Sequence, residues 1–236
     1  MITLDSANPA AVELAARTQT PVAVTQGERL RVELFSDAVF AVAITVLVLG
    51  LPLTAASGSV LDALGSRWVS FAAFGISFAI IGCLWVSHWR LFHRIKHCDE
   101  AIALVNLAVL LFVVLVPFGA STMATFLSRN GGQAKLAAAL FAAILLAMGL
   151  CFGILASLVR RRAGNPTPTG WRSQVLQMAG VAGYAIAIGT AFVAPISVVV
   201  ITGAVAAYYI AREIAGCRQP VVGRRRWRRP PGPVTP

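Results

Sequence analysis

The sequence predicts an all-α integral membrane protein with six transmembrane helices per chain. Of the 236 residues, 58% are hydrophobic and 12% are charged, and the mean hydropathy is +0.78. Soluble domains average about 45–50% apolar and about 25% charged residues, so this composition excludes an ordinary soluble domain. The spacing of the charged residues and the side on which the basic residues fall both give the same helix count.

Charged residues divide the chain into five long uncharged intervals. Four of them contain 22 to 28 residues and the last contains 39. About 20 helical residues cross a hydrocarbon core, so the first four intervals each predict one crossing. The last interval is too long for one crossing, and Ala194-Pro195 near its centre predicts a break because proline disrupts the helical ladder. The intervals lie between Asp37 and Asp62, Arg67 and Arg90, Glu100 and Arg129, Lys135 and Arg160, and Arg172 and Arg212.

The basic residues predict the orientation of the six crossings. Of the 20 Lys and Arg residues, 17 fall on the side shared by both termini, which leaves Arg67, Arg129 and Lys135 on the other side. Cytoplasmic loops carry an excess of Lys and Arg, so we expect both termini in the cytoplasm. This orientation also explains the net charge of +11, and we expect membrane lipids rather than nucleic acid as partners.

The rest of the chain predicts no enzyme. We expect a cytoplasmic lead-in at residues 1–28, a transmembrane domain at 29–213 and a basic, disordered cytoplasmic tail at 214–236. The outer loop at residues 54–67 reads as a plain connector. No nucleophile and base pair, phosphate loop or metal-ligand spacing is recognisable, so the sequence predicts no catalytic site, no metal site and no cofactor.

The first crossing carries one acidic residue, Asp37, within its expected bilayer span. A carboxylate at the bilayer centre costs about 2.5–3.5 kcal/mol, so Asp37 needs a partner. Arg31 lies six positions earlier, about 240° around the helix axis, which disfavours a salt bridge within the helix. We therefore expect the partner on another helix or another subunit. Ser36, His88 and Asn106 fall at a similar depth, and the four side chains form one hydrogen-bond network if they face one another, or are separately satisfied if they do not.

One stripe of the first crossing contains a single hydroxyl group. Ala38, Val42, Thr45 and Leu49 follow at steps of four, three and four residues and share one helix face. In one interpretation the stripe packs against a neighbouring helix and Thr45 bonds to its own backbone. In the other, several copies meet around an axis, Val42 and Leu49 form constrictions that gate by dewetting, and Thr45 offers oxygens to an ion. The periodicity fits both.

The segment from Arg31 to Asp37 reads R-x-x-x-F-S-D. It resembles the signature of bacterial members of the transmembrane protein 175 family, potassium-permeable channels that are also found in lysosomes. The resemblance covers residues 29–120 and includes W-x-x-H-x-x-x-F from Trp85 to Phe92. It also includes two dipeptides of the third crossing, Asn106-Leu107 and Pro117-Phe118.

The resemblance implies a homotetrameric channel of six-helix chains in which the first helix lines the pore. Val42 matches the apolar constriction of the family, Thr45 its pore threonine and Leu49 a further apolar ring. Potassium would be the permeant ion, and the TVGYG loop of carbonyl-cage filters is absent. A polar network that holds the helices around the pore would comprise Arg31, Phe35, Ser36, Asp37, His88 and Asn106.

The function expected from these features is passive potassium flux across the plasma membrane. A proton-coupled secondary transporter is one alternative, with Asp37 and His88 as the proton relay. A non-conducting scaffold that uses the polybasic tail to bind lipid or a partner is the other.

Overall fold

The computed structural model describes residues 21–51, 60–95, 98–129, 132–162 and 169–217, and within these ranges the chain is helical with no strand. Seven α-helices and one 3₁₀ turn account for the ordered backbone of this part of the chain. They are α1 (Pro21–Val46), the 3₁₀ turn (Leu47–Gly50), α2 (Val60–Ser66), α3 (Trp68–Phe92), α4 (Glu100–Leu127), α5 (Gln133–Arg162), α6 (Thr169–Ala191) and α7 (Ile196–Cys217).

Six long helices occupy the six predicted crossings, which confirms a multi-pass membrane protein. Five of them, α1 with its 3₁₀ turn, α3, α4, α5 and α7, are long and apolar enough to span a bilayer, and α6 contributes the shorter apolar stretch Met178–Ala191. The predicted break at Pro195 is confirmed, because α6 ends at Ala191 and α7 begins at Ile196. The turn between them is closed by the backbone N–H of Ala194, which donates to the carbonyl of Thr190 at 2.9 Å.

The expectation of a plain connector at residues 54–67 is wrong over its second half. Residues Val60–Ser66 form the short helix α2, and residues 52–59 lie outside the described part of the chain. Leu61 and Leu64 favour a helical backbone, and the helix ends at Ser66, one residue after Gly65. Helix α1 begins at Pro21 and α7 runs to Cys217.

The centre of the bundle is α4, which packs against α1, α3 and α5. Gly119 lets α4 and α5 approach closely: a Cβ atom at this position would lie 2.8 Å from Cδ1 of Ile144 and 3.2 Å from Cδ2 of Phe141. Small residues permit such close packing between membrane helices. Beyond α5, the helices α6 and α7 follow in sequence, and α7 returns to pack against α3. Helix α1 packs against α3 and α4 along one of its sides.

Candidate functional site

Helix α1 and its 3₁₀ turn have two different faces. One face is buried against α3 and α4, and its residues recur at steps of three and four, as the helical repeat requires. The buried residues are Glu33, Ser36, Phe40, Ala43 and Leu47. The other face includes the whole predicted stripe, which is exposed at Ala38, Val42, Thr45 and Leu49.

No helix of the chain packs over this stripe within the described residues. Val42 is 58% exposed and Leu49 is 77% exposed. The hydroxyl of Thr45 donates to the carbonyl oxygen of Val42 at 2.8 Å. This bond uses the single hydroxyl proton and leaves the oxygen lone pairs available as acceptors.

A chain of hydrogen bonds joins α1, α3 and α4 on the buried face. The side chains of Ser36, His88 and Asn106 are completely buried. Asn106 Nδ2 donates to Ser36 Oγ at 2.8 Å, and Ser36 Oγ donates to the carbonyl oxygen of Val32 at 2.7 Å. His88 Nε2 lies 2.8 Å from Asn106 Oδ1, and it must be the donor because an amide oxygen only accepts.

The imidazole of His88 is held by aromatic rings as well as by this hydrogen bond. It stacks on Phe92 with ring centroids 4.4 Å apart and contacts Phe40 at 5.4 Å. Its Nδ1 is buried without a hydrogen-bond partner in the described part of the chain. Because Nε2 carries the donated proton, a neutral His88 presents an unpaired acceptor at Nδ1. His88, Asn106 and Ser36 thus link three helices through hydrogen bonds. Nδ1 of His88 is the polar atom of this network that has no partner in the described residues.

Asp37 does not belong to this chain of hydrogen bonds in the single chain and is satisfied separately. Its Oδ1 accepts a hydrogen bond of 2.8 Å from Trp85 Nε1. The partner lies on another helix, α3, as the helical geometry predicts. Asp37 follows Ser36 by one position, about 100° around the axis, and this rotation separates the two contacts. Sequence reasoning missed Trp85 as the donor, although it belongs to the same W-x-x-H segment as His88.

Two further residues that the resemblance assigns to the polar network lie on the exposed surface of the single chain. Arg31 is exposed, and Phe35 is 54% exposed. Neither side chain takes part in the hydrogen bonds that join Ser36, His88 and Asn106. Both belong instead to the uncovered side of α1.

Glu33 is a buried acidic residue that the sequence reasoning missed. It lies within the candidate membrane span Arg29–Gly50, so Asp37 is not the only carboxylate there. Its oxygens lie 3.4 Å from Arg29 Nη2 and 3.3 Å from His93 Nδ1. Arg29 also donates to the carbonyl oxygen of Ile95 at 3.0 Å. The spacing of Arg29 and Glu33 by four positions is the signal that predicts this pair.

Comparison with known proteins identifies the family. The family model described as endosomal/lysosomal potassium channel TMEM175 matches residues 31–117. A protein of Streptomyces collinus named potassium channel is 35% identical over 186 residues, which cover 76% of this chain and 90% of the relative. A mouse protein named endosomal/lysosomal proton channel TMEM175 is 34% identical over 106 residues, 41% of this chain and 21% of the relative.

A solved structure agrees with these sequence matches. The crystal structure of a protein from Chamaesiphon minutus, described as a lysosomal potassium-selective channel TMEM175 homologue, superposes with a TM-score of 0.70. It is 31% identical and covers 79% of this chain and 98% of that protein. From the R-x-x-x-F-S-D segment, the helical bundle and these relatives, we conclude that the chain belongs to the TMEM175 family.

Proposed function

We propose that this protein is a passive potassium channel in which four chains surround a pore lined by α1. The family and the names of its relatives from Streptomyces collinus and Chamaesiphon minutus support potassium as the permeant ion. The observation that carries the pore assignment is the uncovered stripe of α1. Val42, Thr45 and Leu49 face away from every other helix in the described bundle, and these are the residues that match the pore positions of the family.

The chemistry of the stripe suits a gated cation path. In a tetramer Val42 and Leu49 supply two rings of apolar side chains, and such constrictions close a pore by excluding water. Between them, four Thr45 hydroxyls present oxygen atoms. Because each hydroxyl donates its proton to a carbonyl of its own helix, its lone pairs are free to replace part of the hydration shell of a cation. Movement of α1 that widens the apolar rings opens the path.

The buried face of α1 supports the pore rather than lining it. The bonds through Ser36, Asn106 and His88 fix α1 to α3 and α4, and Trp85 holds Asp37 beside them. We assign these residues to the structural role that the resemblance implies for them. Arg31 and Phe35 are exposed in the single chain, so we propose that they join this network across the contact between neighbouring chains.

We also propose the plasma membrane as the location and the cytoplasm as the site of both termini. The proposal rests on the 17 of 20 basic residues that the six crossings assign to one side. We further propose that the chain has three parts, a lead-in at 1–28, a channel domain at 29–213 and a basic tail at 214–236.

Ion flux into liposomes that contain the purified protein tests the function. We expect potassium uptake that exceeds the background of protein-free liposomes, does not saturate, and falls when sodium replaces potassium. Uptake only in the presence of a proton gradient would show that the protein is a proton-coupled transporter and not a channel. Absence of flux from intact tetramers at several voltages and pH values would favour the scaffold.

A further inference from the structure

A second feature of the bundle does not involve α1 among its lining residues. A cavity of about 320 Å³ opens between α3, α5, α6 and α7. This volume falls in the range of about 300–1,000 Å³ that ligand sites occupy. Most of its wall is apolar, with Ile80, Leu91, Met148 and Phe152 among the lining residues. The interior therefore suits a hydrocarbon chain.

One end of the cavity is strongly basic. Arginines from three helices or their ends line it, and Glu213 is the one acidic residue among its described lining residues. Because α3, α5 and α7 end on the same side of the bundle, their C-terminal arginines converge there. The four arginines are Arg90, Arg94, Arg160 and Arg212.

Glu213 neutralises only part of this charge. It forms an ion pair with Arg90 and lies 3.3 Å from Arg212 Nη2. Arg94 and Arg160 have no acidic partner in the described residues, and they lie close enough for their positive charges to repel each other. Two guanidinium groups at the mouth of the cavity thus lack an anion.

A buried hydroxyl in the cavity wall also lacks a partner. Tyr184 lines the cavity and is 2% exposed, and its hydroxyl makes no hydrogen bond within the part of the chain that the structure describes. A buried polar group without a partner costs about 1–3 kcal/mol. A ligand oxygen that reached this hydroxyl would remove this cost.

We propose that this cavity binds an anionic phospholipid from the adjacent leaflet. Arg94 and Arg160 hold the phosphate, whose geometry matches the guanidinium fork, while an acyl chain enters along Met148 and Phe152. Tyr184 bonds an oxygen of the glycerol or ester region. Basic pockets between transmembrane helices are suited to such headgroups. The chain's own tail is a poor occupant, because residues 218–236 contain six arginines and no acidic side chain.

Binding of short-chain lipids to the delipidated full-length protein tests the proposal. Native mass spectrometry measures the affinity for dioctanoyl phosphatidylglycerol, with dioctanoyl phosphatidylcholine as the zwitterionic control and inorganic phosphate as the free anion. We expect phosphatidylglycerol to bind at least tenfold more tightly than either control. Equal affinity for phosphatidylcholine would overturn the selection for an anion, and equal affinity for inorganic phosphate would overturn the role of the acyl chain.

A pair of neighbouring arginines provides the matched variants. Arg160 lines the cavity, whereas Arg161 precedes the end of the same helix by one residue and does not. We expect Arg160→Gln to weaken phosphatidylglycerol binding at least fivefold and Arg161→Gln to leave it unchanged. Equal weakening by both would show general attraction to a basic surface and overturn the site. Tyr184→Phe, which preserves the shape of the ring, should weaken binding by a smaller factor, and unchanged binding would remove the hydroxyl from the proposal.

Discussion

The two faces of α1 differ in what satisfies their polar groups. On the buried face, Ser36 is bonded within the bundle to Asn106 and, through it, to His88. On the uncovered face, Thr45 is bonded only to its own backbone, among apolar residues that nothing in the chain covers. One helix can therefore be fixed to the bundle on one side and remain free to line a pore on the other. Substitutions on the buried face should change stability, and those on the uncovered face should change ion flux.

Asn106→Leu should have the largest effect on stability. The substitution leaves the Nε2–H of His88 buried without an acceptor, and a buried unsatisfied group costs about 1–3 kcal/mol. We expect a clear fall in the melting temperature of the purified protein and loss of tetramers on size-exclusion chromatography. Leu104→Ala, on the exposed side of α4, is the matched control and should change neither. An unaltered melting temperature in Asn106→Leu would mean that the buried bonds do not hold α1.

The bond between Asp37 and Trp85 should have a smaller effect. Asp37→Ala and Trp85→Phe each remove the same hydrogen bond, which contributes about 0.5–1.5 kcal/mol. Because they share one interaction, the double variant should be about as stable as either single variant. Denaturant unfolding of the four proteins measures this coupling, with Trp89→Phe as the control for loss of an exposed indole on α3. Additive losses would show that the two side chains do not depend on each other.

The buried polar contacts also show how far the sequence predicts the structure. The uncharged intervals predict the long helices because bilayer thickness sets the helix length. Pro195 predicts the break between α6 and α7 because proline disrupts the helix locally. The choice of Trp85 as the partner of Asp37 depends on the rotation of α1 against α3, which helical periodicity does not determine. The cavity at Arg94 and Arg160 is formed by helices distant in the chain, so no sequence spacing reveals it. The short helix α2 is set by local helix propensity within a loop.

Leu49→Ala should change flux while leaving stability almost unaltered. Leu49 is 77% exposed, and exposed substitutions usually change stability by less than about 0.5 kcal/mol. If four chains surround the pore as proposed, the substitution removes four side chains from one ring and should raise potassium flux several-fold in liposomes. Leu136→Ala, at an exposed position at the same end of the bundle on α5, should leave flux unchanged. Equal flux through the two variants would contradict the assignment of Leu49 to the pore.

Thr45→Ala should have the smallest effect on stability and act on ion preference instead. The hydroxyl bonds only to the carbonyl of Val42 in the same helix, so its loss leaves no buried group unpaired. We expect a lower ratio of potassium to sodium flux in Thr45→Ala and a retained ratio in Thr45→Ser, which keeps the oxygen. Identical ratios in wild type and both variants would contradict contact between this hydroxyl and the ion.

Potassium flux through tetramers that carry Leu49→Lys, compared with tetramers that carry Leu136→Lys, tests most directly whether α1 lines the pore. If four copies of Leu49 surround the pore, the new ring of positive charge repels cations and lowers flux by at least about tenfold. Lysine at position 136 faces the outside of the bundle and should leave flux close to that of the wild type. Wild-type flux through intact Leu49→Lys tetramers would contradict a pore on α1.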